Sequence, residues 1–162
     1  MSGEGAPQAQ DIDGTGVRVT IVAGTWHDVI TDGLIAGAQR ALDTMNATTT
    51  LVRVPGSFEL PLVAKAALEN GADAVVALGV IIRGGTPHFE YVSDAATSGL
   101  TRVALDTGKP VGFGLLTLDD EQQGLDRAGL PDSKEDKGAE AAAAAVETVL
   151  TLRKLTSPAL AN

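Results

Sequence analysis

Residues 83–88 read Arg-Gly-Gly-Thr-Pro-His and follow directly on the apolar run 73–82, DAVVALGVII. Glycine lets a backbone come close to an anion, and the first turn of a helix offers unpaired N–H groups at the positive end of its dipole. Gly85 and Thr86, the second with a hydroxyl, therefore suit a phosphate cradle. An imidazole can carry protons to and from a reacting group, and His88 supplies one at the end of this loop. The same residue types also fit an ordinary strand-to-helix turn, with Thr86 capping the helix and His88 a capping or solvated side chain. Six residues alone leave both readings open.

Composition bounds the remaining chemistry. The 162 residues include no cysteine, which excludes disulfides, thiolate catalysis and Cys-type zinc sites. His27 and His88 lie far apart, and neither sits in an HExxH or carboxylate–His spacing, so no metal site is expected. The net charge of -9 suits neither a nucleic-acid backbone nor an anionic membrane. Any anionic ligand must then be held by a local basic cluster. With 44% hydrophobic but only 3% aromatic residues, the core must be built mainly from Ala, Val, Leu and Ile. The start, MSGEGAPQAQDIDGTG, lacks the basic and apolar stretches of a signal peptide, and no apolar run reaches membrane-spanning length. A cytoplasmic protein is expected.

The elements that must position these residues alternate along the chain. Residues 1–16, small, polar and glycine-rich, read as a flexible arm or as a strand ordered only against a partner. Residues 17–162 read as a single domain. Strands are expected at 17–23, 48–54, 73–82 and in VGFGLLTL after Pro110. Helices are expected at 28–46, from about 59 to 70, from near His88, over the short DDEQQGLDRA, and from about 138 to 155. In the first helix Val29, Ile30, Leu34, Ala38, Ala41, Leu42 and Met45 fall near helical spacing; in the third, Phe89, Val92, Ala96, Leu100 and Val103 draw one stripe. Four strands separated by helices predict an α/β fold, a three-layer α/β/α sandwich on a four-stranded parallel sheet. Ligands bind such sheets beyond the carboxyl ends of the strands. That selects GTWHD, PGSFE, RGGTPH and the segment after GFGLLT.

VPGSFELP at 54–61, GVIIRGGTPHFEYV at 79–92, PVGFGLLT at 110–117 and DRAG…DKGAEAA within 126–142 fall at these four strand ends or beside them. In that order and spacing the chain resembles the lumazine synthase family from residue 17 to about 155. The resemblance implies a flavodoxin-like sheet and an enzyme of riboflavin biosynthesis. Its reaction condenses 5-amino-6-(D-ribitylamino)uracil with 3,4-dihydroxy-2-butanone 4-phosphate to 6,7-dimethyl-8-ribityllumazine, releasing phosphate and water. An amine attacks a ketone to give an imine, phosphate is eliminated and the ring closes with loss of water. No metal, flavin or covalent enzyme intermediate is needed.

The resemblance also assigns residues. His88 is the catalytic histidine, and Gly85 and Thr86 hold the phosphate. Trp26, the only tryptophan, stacks on the pyrimidine; as an isolated residue it fits a core or surface tryptophan equally well. Ser57, Phe58 and Glu59 hold the ribityl hydroxyls and the ring edge, and a carboxylate can accept from several hydroxyls. The plain alternative for Glu59 is a first-turn acid favoured by the helix dipole. Val80, Ile81 and Ile82 are mostly sheet core, the last two also offering backbone groups to the pyrimidine. Phe113, Arg127 and Lys137 reach the site of the adjacent subunit: Phe113 covers the ring, Arg127 binds phosphate and Lys137 assists near it. His27 stays open between the phosphate and solvent. Asp136 stands where many relatives have Asn. The family forms homopentamers, some packed into capsids. The loop LPDSKED is two residues longer than that of capsid formers and contains Pro131, which favours the isolated pentamer.

Three other readings share parts of this pattern. A flavin- or nucleotide-binding module would bind flavin tightly without turnover. A shell protein would keep the fold and lose the chemistry, against which Trp26, Glu59, His88, Arg127 and Lys137 stand together. Riboflavin synthase of the archaeal kind shares the fold, but VPGSFELP and RGGTPHFEYV fit lumazine synthase better.

Overall fold

Four runs rich in Val, Ile, Leu and Thr become β1 (Arg18–Ala23), β2 (Thr48–Arg53), β3 (Ala74–Ile82) and β4 (Val111–Leu118). In the computed structural model, which describes residues 4–7 and 11–157, they pair in parallel in the order β2-β1-β3-β4. The helices are α1 (Asp28–Thr44), α2 (Leu60–Glu69), α3 (His88–Thr107), α4 (Glu121–Leu125) and α5 (Lys137–Leu155), with a 3₁₀ turn at Ser57–Glu59 leading into α2.

β3 explains the layering. Its Ala74, Val76, Leu78 and Val80 join one core with Ile30, Leu34, Ala38 and Leu42 of α1 and Ala142, Ala145 and Val146 of α5. The alternate residues Val75, Ala77 and Ile81 join a second core with Leu60, Ala64 and Leu68 of α2 and Ala96, Leu100 and Val103 of α3. A strand covered on both faces must be apolar throughout, which is why DAVVALGVII carries no alternation. The expected three-layer α/β sandwich is the fold adopted.

Local boundaries differ from the expected ones where loops make their own hydrogen bonds. α1 ends at Thr44 because Asn46 takes a left-handed backbone, φ 60°, that turns the chain into β2. Val29 is exposed, and Thr31 is buried instead, donating its hydroxyl to the Trp26 carbonyl at 2.7 Å. The short helix stops at Leu125, not Ala128. The Asp126 carbonyl accepts from the N–H groups of Lys134 (2.8 Å) and Glu135 (2.9 Å), folding the chain back so that Ala128 and Asp136 bridge.

Of the expected N-terminal arm, residues 1–3 and 8–10 lie outside the described residues. Ile12 packs against the first core, and the Gly14 N–H donates to the Met45 carbonyl at 2.6 Å. At the amino edge of the sheet, Asp73 accepts from the Arg18 N–H at 2.8 Å and pairs with the Arg153 guanidinium at 3.6 Å. One carboxylate thus gathers the start of β1 and the end of α5.

Candidate active site

At the carboxyl edge, the end of β1 is tied to β3 on one side and to the end of β2 on the other. The Gly24 N–H donates to Leu78 at 2.9 Å, the Gly24 carbonyl accepts from Arg53 at 2.9 Å, and the Thr25 hydroxyl donates to the Pro55 carbonyl at 2.8 Å. These ties bring Trp26 and Glu59 to one place. A Cβ on Gly56 would lie 3.4 Å from Trp26 Nε1 and 3.5 Å from Glu59 Oε2, so both side chains flank the same bare backbone. Trp26 is 67% exposed and Phe58 65%, which is unusual for large apolar groups at a strand end. Ser57 is buried, its hydroxyl filling the space that a Cβ on Gly79 would take. Val80 and Ile81 are buried in β3 and Ile82 is half-buried. His27 precedes α1, is exposed, and has a left-handed backbone with φ 54°, a region where histidine is enriched.

The loop after β3 is braced at both ends by Arg83. Its N–H donates to the Leu118 carbonyl at 2.8 Å, and its side chain bonds Glu90 in the first turn of α3 and Asp119 at 3.1 Å, lying 4.2 Å over the Phe89 ring. Glu90 and then Asp119 hold the guanidinium more firmly charged than usual, and the Arg83 hydrogen bond holds the Glu90 carboxyl below its ordinary range. The tie is therefore present above the usual carboxylate range and is lost as pH falls through the lowered Glu90 value. Gly84 and Gly85 are exposed, lack a left-handed backbone, and have nothing within 4 Å of where a Cβ would stand. Neither packing nor backbone conformation requires glycine there; the bare main chain leaves room for a group arriving from solvent. Pro87 occupies the cap position of α3 with no side-chain cap, so Thr86 is not the cap. His88 opens α3 and is exposed.

Phe113 lies elsewhere. It pairs with Ala77 on the edge strand β4, five residues before Leu118, or about 16 Å from the strand's carboxyl end. Its ring is 52% exposed and faces a shallow groove with Thr97, Leu100, Thr101, Ala104 and Val111. Arg127 and Lys137 form a cluster of their own. The Lys137 N–H donates to the Arg127 carbonyl at 3.0 Å, and the Glu135 carboxylate sits 3.7 Å from Arg127 and 3.5 Å from Lys137.

Asp136 sets that geometry. Its carboxylate caps α5 by accepting from the Ala139 N–H at 3.0 Å, pairs with Arg40 at 3.2 Å, and rests against the bare backbones of Gly37 and Gly129. The aspartate therefore supplies the cap beside Lys137. Sequence reasoning did not single out Arg83 or Glu135 as site residues. The position of Arg83 at the mouth of a buried strand was the available signal; Glu135 had none, lying in a loop rich in charge.

Among the described residues, no three His, Asp or Glu side chains are grouped to hold a metal ion, and no helix is long and apolar enough to cross a membrane. The family model of 6,7-dimethyl-8-ribityllumazine synthase matches residues 16–153. A protein of that name from Clavibacter sepedonicus is 76% identical over 157 residues, covering 96% of this chain and 98% of its own. One from Leifsonia xyli subsp. xyli is 74% identical over 156 residues, covering 96% and 99%. One from Streptomyces coelicolor is 55% identical over 159 residues, covering 98% and 99%. The matched span runs from the first strand through every loop at the carboxyl edge to the last helix, and the chain belongs to the 6,7-dimethyl-8-ribityllumazine synthase family.

Proposed function

We propose that this chain condenses 5-amino-6-(D-ribitylamino)uracil with 3,4-dihydroxy-2-butanone 4-phosphate to 6,7-dimethyl-8-ribityllumazine, a transferase step of riboflavin biosynthesis that releases phosphate and water. One observation carries the reading beyond family membership. The open Gly84–Gly85 main chain leaves the end of β3 and leads to His88 at the start of α3, and the neighbouring strand β1 leads to Trp26 beside Gly56 and Glu59. Trp26 and Phe58 offer exposed apolar faces to the pyrimidine, while Ser57, Glu59 and the edge of Val80–Ile82 take its polar rim and the ribityl chain. Gly85 and Thr86 take the phosphate. The pyrimidine amine adds to the ketone, water leaves to give the imine, phosphate departs as a proton is lost, and the second nitrogen closes the ring with loss of a second water. His88 moves the protons. Addition, dehydration and elimination run on proton transfer and on holding two substrates together, so no cofactor is invoked.

Mixing both substrates with the protein should yield lumazine absorbance and phosphate in equal amounts, faster than the spontaneous condensation. Arg127→Ala should raise the KM for the butanone phosphate about tenfold to a hundredfold, the loss of one charge-assisted phosphate bond. An equal rise for both substrates would remove Arg127 from the phosphate.

We further propose that the site is completed by an adjacent subunit in a cytoplasmic homopentamer, with residues 17–162 as one catalytic domain behind an N-terminal arm of residues 1–16. Phe113 stands too far from its own strand's carboxyl end to cover a ring held there. Exposed Phe58, Leu62 and Tyr91 supply apolar surface for subunit contact. The absence of cysteine suits a reducing compartment. Co-expressing His88→Ala with Arg127→Ala chains should restore activity at about one site in four, where the intact residues of two chains meet. No recovery would place both residues of a site in one chain.

A further inference from the structure

The two cations given to the phosphate already hold a carboxylate. Glu135 Oε2 lies 3.7 Å from Arg127 Nε and Glu135 Oε1 lies 3.5 Å from Lys137 Nζ, one oxygen to each cation. Each cation also has a contact of its own. The Arg127 Nη1 donates to the Gln123 carbonyl at 2.8 Å, and Glu140 meets Lys137 alone at 2.8 Å. Glu135 is also well covered, its side chain 18% exposed. A carboxylate spanning two cations has the charge and much of the shape of a phosphate edge, and an arriving phosphate must compete with it for both.

We propose that Glu135 is an internal stand-in for the substrate phosphate, occupying Arg127 and Lys137 in the empty site and displaced when the phosphate binds. The inference rests on the assignment of Arg127 and Lys137 to phosphate. Glu135 keeps the two cations together and neutralises part of their charge from within their own chain. It lowers affinity for phosphate, so the phosphate product leaves a site that refills from within. The loop does not need this side chain for its shape. The Glu135 main chain donates to the Asp126 carbonyl at 2.9 Å and accepts from the Gly129 N–H at 3.0 Å, and Asp136 caps α5 independently.

Binding of inorganic phosphate to the full chain in its native assembly, followed by calorimetry at fixed ionic strength, tests this. Glu135→Gln keeps the shape and removes the charge, and should bind phosphate about threefold to tenfold more tightly than the parent, as expected for releasing a partly exposed ion pair. Its KM for the butanone phosphate should fall by a similar factor, with the KM for the pyrimidine unmoved. Glu135→Asp retains the charge but shortens the reach by one methylene, so it should fall between the two; it also carries the test if the glutamine variant does not fold. Arg127→Ala is measured alongside. Weaker phosphate binding in Arg127→Ala with unchanged or weaker binding in Glu135→Gln overturns the proposal and leaves the phosphate assignment intact, Glu135 then being a brace. Unchanged binding in Arg127→Ala as well overturns both.

Discussion

Replacing His88 with alanine should slow turnover by about 10²–10⁴-fold, the usual worth of a positioned proton carrier. The fold should survive. The imidazole is exposed at the first position of α3, the cap there is Pro87, and alanine is the better helix former. The melting temperature is expected to stay within a degree or two of the parent, which separates lost chemistry from lost structure. Substrate affinities should change little, because the contacts proposed for the phosphate are Gly85, Thr86 and Arg127, not His88. The measurement is the initial rate of lumazine formation at saturating substrates, with phosphate release recorded in parallel. Turnover equal to that of the parent would exclude His88 from proton transfer. It would return the loop to the plain strand-to-helix turn that its residue types also permit.

The second large effect concerns stability. Gly138→Ala should destabilise the chain by about 2–3 kcal/mol, although alanine ordinarily improves a helix by about 1 kcal/mol over glycine. The decisive fact is the space. A Cβ on Gly138 would stand 2.0 Å from the Leu34 carbonyl oxygen and 2.8 Å from its carbon, both of them backbone of α1. No side chain can rotate away, so α1 and α5 must part, and Lys137 moves with them. The melting temperature should fall by about 5–10 °C. Gly84→Ala is the matching control, since its Cβ would meet nothing within 4 Å. A Gly138→Ala chain as stable as the parent would mean that the contact between α1 and α5 yields at little cost.

The strands were readable because burial on two faces leaves a mark in composition: nothing polar interrupts 74–82, while β2, at an edge, keeps three threonines. Once the strands are placed, the rule of the carboxyl ends selects the segments that carry Trp26, Glu59 and His88, and the family resemblance picks those residues out of them. The rest depends on which loop folds over which, and periodicity does not encode that. The end of α4 at Leu125 follows from the Asp126 carbonyl accepting two N–H groups from eight and nine residues on. Asp136 needed two glycines from different elements, Gly37 and Gly129, before its carboxylate had a seat. Phe113 reads as a strand aromatic beside a site motif, and only the pairing register shows that it stands well short of the strand's end. Charged loops are the hardest case. In SKEDK five positions look alike to solvent, yet one aspartate caps a helix and one glutamate bridges two cations.

Asp73 holds Arg18 and Arg153 together at the amino edge of the sheet, while the loops assigned to the chemistry all leave from the other edge. α5 therefore ends on the side of the sheet remote from the loops proposed to carry the chemistry. On the proposed site, a chain anchored to a bead or a partner protein from the end of α5 keeps Trp26, Glu59 and His88 at the opposite edge of the sheet. A passenger added there is expected to leave turnover at the parent's level, read as the initial rate of lumazine formation.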